Sequence, residues 1–245
     1  MTSLVTGPPE VEVEYPEGPN VPEGDLHLRR RVELLFALRH WYAGRTDSDG
    51  AWVSCDINVY YKQGDPKTVV APDIAVAFGV DVAAVENQST YKVWEAGAPP
   101  CFALEIASHK TVRADLHVKP SKYAELGVSE YWRLDPTGGE LLDPPLQGER
   151  RHFGRWEPID ILAEGADGLR GRSRVLGLDL CWMPPKLRLW DLSEAAWLPD
   201  AGDLAAQASA AEARAAAAEA RAASAEAELS ELRARLRRMP PGSDS

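Results

Sequence analysis

Small and large apolar residues alternate in two short segments near the middle of the chain, and each segment carries one acid. In residues 71–78, Asp73 shares a strand face with alanines while the large apolar side chains point to the other face. In residues 101–108, Glu105 is placed in the same way. Both patterns predict strands. A buried carboxylate needs a cation, a hydrogen-bond donor or water, and two acids on neighbouring strands could share one Mg²⁺ or Mn²⁺ ion.

Apolar residues at helical spacing predict an amphipathic helix over Leu26–Tyr42, with Asp25 as its N-cap. The spacing assigns its buried face to Leu28, Val32, Leu35, Leu38 or Arg39, and Tyr42. The arginine triplet 29–31 near the start of this helix is typical of a solvated face, and the alternative is contact with phosphate. Glu33 lies on the same helix and would be an extra ligand or would orient a water if a metal site were close.

The segment 52–61 alternates as a strand, and the turn at 64–66 predicts a hairpin with the Asp73 strand. A turn is also expected at 47–50. Further along, a helix that includes Lys119 should end at Gly127, and a strand should follow over 129–135. The order of helix, three strands, helix and strand predicts an α/β fold with a mixed central sheet flanked by helices.

Residues 140–198 contain many Pro, Gly and Trp residues between short apolar pieces, which predicts a β-rich extension of the same domain. The expected strands are Trp156–Leu162, Leu176–Trp182 and Leu187–Leu192.

The composition changes sharply after Asp203, where alanine, glutamate and arginine dominate up to Arg238. Apolar residues keep a four-three alternation there, which predicts a C-terminal coiled-coil helix and self-association through residues 204–236, as a homodimer or a higher oligomer. The positions of this seam are Leu204, Ala208, Ala211, Ala215, Ala218, Ala222, Ala225, Leu229, Leu232 and Leu236. The alternative is a solitary charged helix held by local ion pairs.

The chain therefore divides into four predicted parts. Residues 1–24 form an extended arm rich in Pro, Glu and Gly, in which Val11, Val13 and Tyr15 suggest an edge strand. Residues 25–200 form the α/β domain and residues 201–239 the alanine-rich coiled-coil helix. Residues 240–245, which begin with two prolines, form a disordered tail.

Charge and cysteine content limit the functions and cellular locations that the sequence favours. The 245 residues carry a formal charge of −11, so binding of DNA would require a local basic cleft on an acidic protein. The three cysteines lack metal-ligand spacing, which favours reduced thiols and a cytoplasmic location. No secretion signal and no apolar run that could span a bilayer is readable, so we expect no membrane association.

Four motifs together resemble the PD-(D/E)xK nuclease superfamily, and more narrowly the bacterial Uma-two family of restriction endonuclease-like proteins. They are Val70-Ala-Pro-Asp73, Glu105-Ile-Ala-Ser108, Asp115 with Lys119, and the segment 123–135 with its Gly-Val-x-Glu-Tyr-Trp core. The entry to the first helix at Asp25-Leu-His27 is also similar. The resemblance implies a restriction-endonuclease-like fold and metal-dependent hydrolysis of DNA phosphodiester bonds.

The resemblance also implies roles for single residues. Asp73, Glu105 and the backbone carbonyl of Ile106 would hold Mg²⁺ or Mn²⁺. The superfamily's lysine normally stands two residues after the strand acid, where this chain has Ala107. Lys119 is the matching position on the following helix, where its ammonium would orient the attacking water or offset charge on the phosphate. The accessory positions are Glu33, His27, Ser108 and Asp115.

Simpler interpretations exist for several of these residues. Asp115 and Lys119 have the i,i+4 spacing of a surface salt bridge. Asp73 follows a proline, as turn acids do, and Ser108 has the position of a hydroxyl that closes a turn. A second hypothesis for the whole chain is a catalytically silent nuclease fold that serves as a binding scaffold and oligomerises through its coiled coil. A third is hydrolysis of RNA or another phosphodiester.

Overall fold

The computed structural model describes residue 14 and residues 24–45 and 51–238. The arm with Val11, Val13 and Tyr15, the turn at 47–50 and the tail 240–245 lie outside this range. The helices are α1 (Asp25–Ala43), α2 (Val82–Val85), α3 (Val93–Ala96), α4 (Val112–His117), α5 (Lys119–Leu126) and α6 (Ala201–Arg238). The chain divides into two compact units, residues 1–198 and 199–245.

Fourteen strands are found among the described residues, all in the first unit. They are β1 (Trp52–Ser54), β2 (Asn58–Tyr60), β3 (Val69–Val70), β4 (Ile74–Ala77), β5 (Thr90–Lys92), β6 (Phe102–Ile106), β7 (Glu130–Leu134), β8 (Leu146–His152), β9 (Arg155–Pro158), β10 (Ile161–Glu164), β11 (Gly168–Arg172), β12 (Leu178–Met183), β13 (Lys186–Asp191) and β14 (Ala196–Trp197).

The central sheet has six strands in the order β1-β4-β6-β7-β8-β9. β6 and β7 are parallel, as expected for strands joined through helices α4 and α5, and the other neighbours are antiparallel. β10 to β14 form a second, antiparallel sheet, and β3, β2 and β5 form a small third one. A mixed central sheet flanked by helices, followed by a long C-terminal helix, confirms the predicted α/β fold class.

Each face of the central sheet packs on its own hydrophobic core. Large side chains of β4 and β6, such as Ile74 and Leu104, pack with α1 and the second sheet. On the opposite face, Ala75 and Ala103 pack with Tyr123 of α5 and with the third sheet. This division matches the alternation seen in the sequence, because successive residues of a strand point to opposite faces.

The predicted buried face of α1 was right for Leu38 and Tyr42, and Leu35 packs against the core, but it was wrong in the first half of the helix. Leu28 and Val32 are 48% and 49% exposed, whereas the buried stripe combines His27, Arg30 and Arg31 with Leu34, Ala37, Leu38 and Tyr42. Apolar periodicity failed here because three buried residues at the start of the helix are polar. Hydrogen bonds and ion pairs, which hydrophobic spacing does not reveal, hold their side chains in place.

Two predicted strands are each divided in the structure. The segment 52–61 forms β1 and β2, which belong to different sheets, and Asp56 between them has a left-handed φ of 54°. β1 pairs with β4, whereas β2 pairs with β3 across the turn at Gly64, so the single hairpin was also wrong. The segment 156–162 likewise falls into β9 and β10, again in different sheets.

In the described part of the second unit, α6 is one uninterrupted helix. Two leucines of the predicted seam, Leu229 and Leu232, are 53% and 55% exposed in the single chain. The coiled coil stays a prediction. Among the helices described, none has both the length and the apolar composition that a membrane span needs.

Candidate active site

Asp73 and Glu105 face each other across two strands of the central sheet. β4 and β6 pair Ile74 with Leu104 and Ala75 with Ala103, so the same register extended by one residue sets Asp73 opposite Glu105. The two residues are 6% and 2% exposed. Both line a cavity of about 280 Å³ on the sheet face that α5 covers. Residues directly opposite on antiparallel strands have Cβ atoms about 5 Å apart, which is close enough for two carboxylates to share one cation.

Donors from two elements engage the carboxylate of Asp73. Its Oδ2 accepts a hydrogen bond of 2.7 Å from the backbone N–H of Ile106, and His27 Nε2 lies 3.2 Å away. Arg31 Nη1 donates to Oδ1 at 3.4 Å. Burial raises the pKa of Asp73, but the contacts with His27 and the N–H of Ile106 outweigh that effect, so the pKa lies below its ordinary value. Asp73 is therefore held as a carboxylate.

Two side chains of α5 contact the carboxyl group of Glu105. Tyr123 donates its hydroxyl to Oε1, and Lys119 Nζ lies 2.8 Å from Oε2. Complete burial raises the pKa of Glu105 to about 8, the Lys119 ammonium opposes that shift, and the negative charges of Asp73 and Asp115 add to it. The pair of acids therefore has one member with a lowered pKa and one with a raised pKa.

Lys119 contacts two buried carboxylates at once. Its ammonium lies 2.8 Å from Glu105 Oε2 and 2.8 Å from Asp115 Oδ1. Burial lowers the pKa of Lys119, but the two acids outweigh it and the pKa is raised. Because Asp115 is only 1% exposed, the interpretation of this pair as a surface salt bridge was wrong. In the described part of the chain, Asp115 Oδ2 has no hydrogen-bond donor.

Of the four residues expected to assist at the site, two contact it and two do not. His27 belongs to the site, since its Nε2 lies 2.7 Å from the carbonyl oxygen of Ile106 in addition to its contact with Asp73. Asp115 belongs to it through Lys119. Glu33 instead pairs with Arg30 at 2.6 Å, and Ser108 bonds the hydroxyl of Thr111 at 2.9 Å, so Ser108 closes the turn before α4. Neither Glu33 nor Ser108 lines the cavity.

The solvated-face interpretation of the arginine triplet was wrong for two of its members. Arg29 is exposed and pairs with Asp25, but Arg30 and Arg31 are each only 6% exposed. Arg31 bridges Asp73 and Asp56, with Nη1 3.2 Å from Asp56 Oδ2. The available signal was spacing, since Arg31 stands four residues after His27 and therefore on the same helix face.

Two further residues of the site were not predicted to belong to it. Asp56 lines the cavity because the backbone reverses there at a positive φ, which nothing in its sequence context announced. Tyr123 was recognised only as part of a helical motif. Its i,i+4 spacing from Lys119 was the available signal, because both side chains lie on the α5 face that meets Glu105.

The oxygen atoms of the site are of the kind that binds a divalent metal ion. Among the described residues, no group of three or more His, Cys, Asp or Glu side chains has the geometry of a metal site. Magnesium, however, is often bound by one or two carboxylates, with water and substrate phosphate completing its shell. Asp73, Glu105 and the Ile106 carbonyl offer oxygen ligands only, which fits that chemistry.

Comparisons with known proteins give the family of the chain. A family model described as "Uma2: Putative restriction endonuclease" matches residues 4–166, and the chain belongs to this family. Among solved structures, it is similar to one titled as a putative nuclease belonging to DUF820 from Anabaena variabilis. That likeness has 16% identity, covers 60% of this chain and 75% of the other, and has a TM-score of 0.41. No curated protein matches the chain.

Proposed function

We propose that this chain is a metal-dependent endonuclease that hydrolyses DNA phosphodiester bonds. Asp73 and Glu105 would hold Mg²⁺ or Mn²⁺, with the carbonyl oxygen of Ile106 as a further ligand. The observation that carries the proposal is that two buried acids stand opposite each other at one cavity, with the ammonium of Lys119 in contact with one of them. Membership of the restriction endonuclease family supports the same activity.

A bound divalent ion would polarise the phosphate and lower the pKa of a coordinated water. The protein's part is to keep the ligands oriented. The N–H of Ile106 and the side chains of His27 and Arg31 fix the Asp73 carboxylate from one side. The Ile106 carbonyl accepts one hydrogen bond from His27 when that nitrogen carries a proton, and its second lone pair stays available for a cation.

Lys119 would act on the substrate from α5. Its raised pKa keeps it protonated, so it would serve as a cation that orients the attacking water or offsets charge on the phosphate, and not as a general base. The strand position that carries the lysine in most of the superfamily is Ala107, which is buried. The contact between Lys119 and Glu105 supports the assignment of that role to the helix.

We further propose that the chain self-associates through residues 204–236 of α6. The described side chains of this helix are exposed or half-exposed in the single chain, and its apolar residues repeat at the four-three spacing of a coiled coil. A homodimer would suit cleavage of both strands of a duplex. Most of the seam is alanine, which buries little area, so the leucines near the end would contribute most of the association.

A second candidate is a catalytically silent nuclease fold that works as a binding scaffold. It is favoured by the absence of a lysine on β6 and by the engagement of both proposed metal ligands with cations of the protein itself. In this interpretation Arg31 and Lys119 replace a metal ion, and the coiled coil is the working part.

The test is cleavage of fluorescent duplex DNA, single-stranded DNA and RNA oligonucleotides, each with Mg²⁺, with Mn²⁺ and with EDTA. The proposed nuclease cleaves DNA only when the metal is present, and an Asp73→Asn variant does not. Cleavage of RNA but not of DNA would change the proposed substrate from DNA to RNA. Failure of the folded wild type to cleave any of the three substrates would favour the silent scaffold.

A further inference from the structure

The segment between β6 and the middle of α5 is basic in an otherwise acidic chain. Residues 108–122 carry four lysine or arginine residues and one acid, while the rest of the chain has 23 bases and 37 acids. Lys110 lies in the turn before α4, Arg113 in α4, and Lys119 and Lys122 in α5. We call residues 108–122 the basic segment.

Other arginine-rich stretches are engaged inside the protein. Arg30 pairs with Glu33 and Arg31 with Asp73, while Arg150 pairs with buried Glu130. Their charges are therefore committed to internal partners. The basic segment differs in this respect.

Within the basic segment, only Lys119 is neutralised by carboxylates. Lys110 and Arg113 are exposed, and no ion pair to another described residue engages either of them. Lys122 is half-buried and donates to the carbonyl oxygen of Val69, a neutral partner that leaves its charge uncompensated. Three positive charges on one short stretch therefore have no carboxylate partner among the described residues.

The basic segment contributes part of the lining of the cavity that contains Asp73 and Glu105. Lys122 lines the cavity itself, as do Thr111 and Ala114. Lys110 and Arg113 are the exposed residues that directly precede Thr111 and Ala114 in the chain. Asp56, which also lines the cavity, is held by Arg31 at 3.2 Å.

We propose that Lys110, Arg113 and Lys122 bind the phosphate backbone of the substrate DNA and direct one strand to the cavity. The inference deepens the proposed function and rests on it. A net charge of −11 repels a polyanion at long range, so a local cluster of uncompensated cations must offset that repulsion at the point of contact. Lysine and arginine contacts to phosphate give affinity without sequence preference.

The test is fluorescence anisotropy of a labelled duplex DNA oligonucleotide, in EDTA so that no cleavage occurs, over a range of salt concentrations. Arg113→Glu is the main variant and Lys110→Glu the second. Arg155→Glu is the matched control, because Arg155 is also an exposed arginine. It lies at the β8–β9 tip beyond the Glu130 end of the sheet, whereas Glu105 lies towards the other end.

We expect Arg113→Glu to raise Kd by about tenfold or more and to reduce the slope of log K against log salt by about 1, as for the loss of one phosphate contact. Lys110→Glu should behave similarly, and Arg155→Glu should bind as the wild type does. Circular dichroism should show no change in any variant, since all three side chains are exposed.

Equal Kd values for Arg113→Glu, Lys110→Glu and the wild type would overturn the inference, as would an equal loss in Arg155→Glu. The oligonucleotide cleavage assay separates this failure from that of the proposed function. If the wild type cleaves DNA but Arg113→Glu leaves the Kd unchanged, only the proposed role of the basic segment is overturned. A wild type that binds through Arg113 but cleaves nothing overturns only the nuclease proposal, and one that neither binds nor cleaves DNA overturns both.

Discussion

The ammonium of Lys119 lies 2.8 Å from the carboxylate of Glu105, although the two residues belong to different elements, α5 and β6. The same ammonium lies 2.8 Å from Asp115, which is buried as completely as Glu105. One cation therefore contacts two buried acids. Ala107 directly follows β6, so the cation that contacts Glu105 comes from α5 and not from the strand.

Replacement of Lys119 by Met should destabilise the fold strongly. The change leaves the buried carboxylate of Asp115 without its cation, and loss of one partner of a buried ion pair costs about 3–5 kcal/mol. The measurement is the free energy of unfolding in urea at pH 7. Lys62→Met serves as the control, since Lys62 is exposed and its loss should change stability by no more than about 0.5 kcal/mol.

The double variant Lys119→Met/Asp115→Asn should recover part of that loss, because it also removes the carboxylate that Lys119→Met leaves uncompensated. If Lys119→Met unfolds at the same urea concentration as the wild type, the ammonium does not stabilise the buried Asp115.

Manganese binding should require both Asp73 and Glu105. We expect isothermal titration calorimetry to show Mn²⁺ binding by the wild type and none by Asp73→Asn or Glu105→Gln, because each change removes a charged oxygen ligand without removing volume. Glu125→Gln is the control, an exposed acid on the same helix as Lys119. Tight Mn²⁺ binding by both site variants would contradict the assignment of these ligands.

The affinity for Mn²⁺ should also rise with pH, because Glu105 must lose a proton before it binds the ion. Its pKa is raised to about 8, so at neutral pH the carboxyl holds a proton that the cation must displace. Affinity should therefore rise by about tenfold per pH unit below pH 8 and level off above it, as for release of one proton. Calorimetry at pH 6, 7 and 8 checks this, and a flat profile would contradict it.

Asp135 should stabilise the protein at neutral pH and lose that effect in acid. It is fully buried, and its carboxylate accepts hydrogen bonds from the backbone N–H groups of Thr137, Gly139, Leu141 and Leu142. Burial raises its pKa, but these bonds and the Thr137 hydroxyl outweigh burial, so the pKa is lowered. A lowered pKa stabilises the fold above the ordinary value of 3.8 and ceases to do so as the pH falls through the folded-state value.

Asp135→Asn should therefore cost about 1–3 kcal/mol at pH 7, since an amide cannot accept all of these bonds, and the difference from the wild type should shrink towards pH 3. Thermal unfolding over this pH range is the measurement. A difference that stays constant with pH would show that the charge of Asp135 is not what stabilises the loop.

The strands of the site were predictable because their pattern is local. Alternation along 71–78 and 101–108 was enough to place Asp73 and Glu105 on the alanine faces, and those faces do pack separately from the large apolar ones. The register that sets the two acids opposite each other involves residues distant in the chain, so the sequence alone left it open.

The extent of helix α1 was predicted to within one residue at each end, although its N-cap is Gly24 and not Asp25, and the buried face was wrong in the first half. Hydrophobic periodicity assumes that buried means apolar, and at His27, Arg30 and Arg31 burial is compensated by hydrogen bonds and ion pairs instead. The contact of Lys119 with Glu105 was expected only through the family resemblance, because i,i+4 spacing pairs Lys119 with Asp115 and contains no information about β6.

The decisive experiment is nicking of supercoiled plasmid DNA. The wild type, Glu105→Gln and the control Glu125→Gln would each be incubated with Mg²⁺, with Mn²⁺ and with EDTA, and the conversion of supercoiled to open-circular plasmid measured. We expect nicking by the wild type and Glu125→Gln only when a metal is present, and none by Glu105→Gln. Nicking by Glu105→Gln at the wild-type rate, or no nicking by the folded wild type, would contradict a metal-dependent nuclease that relies on Glu105.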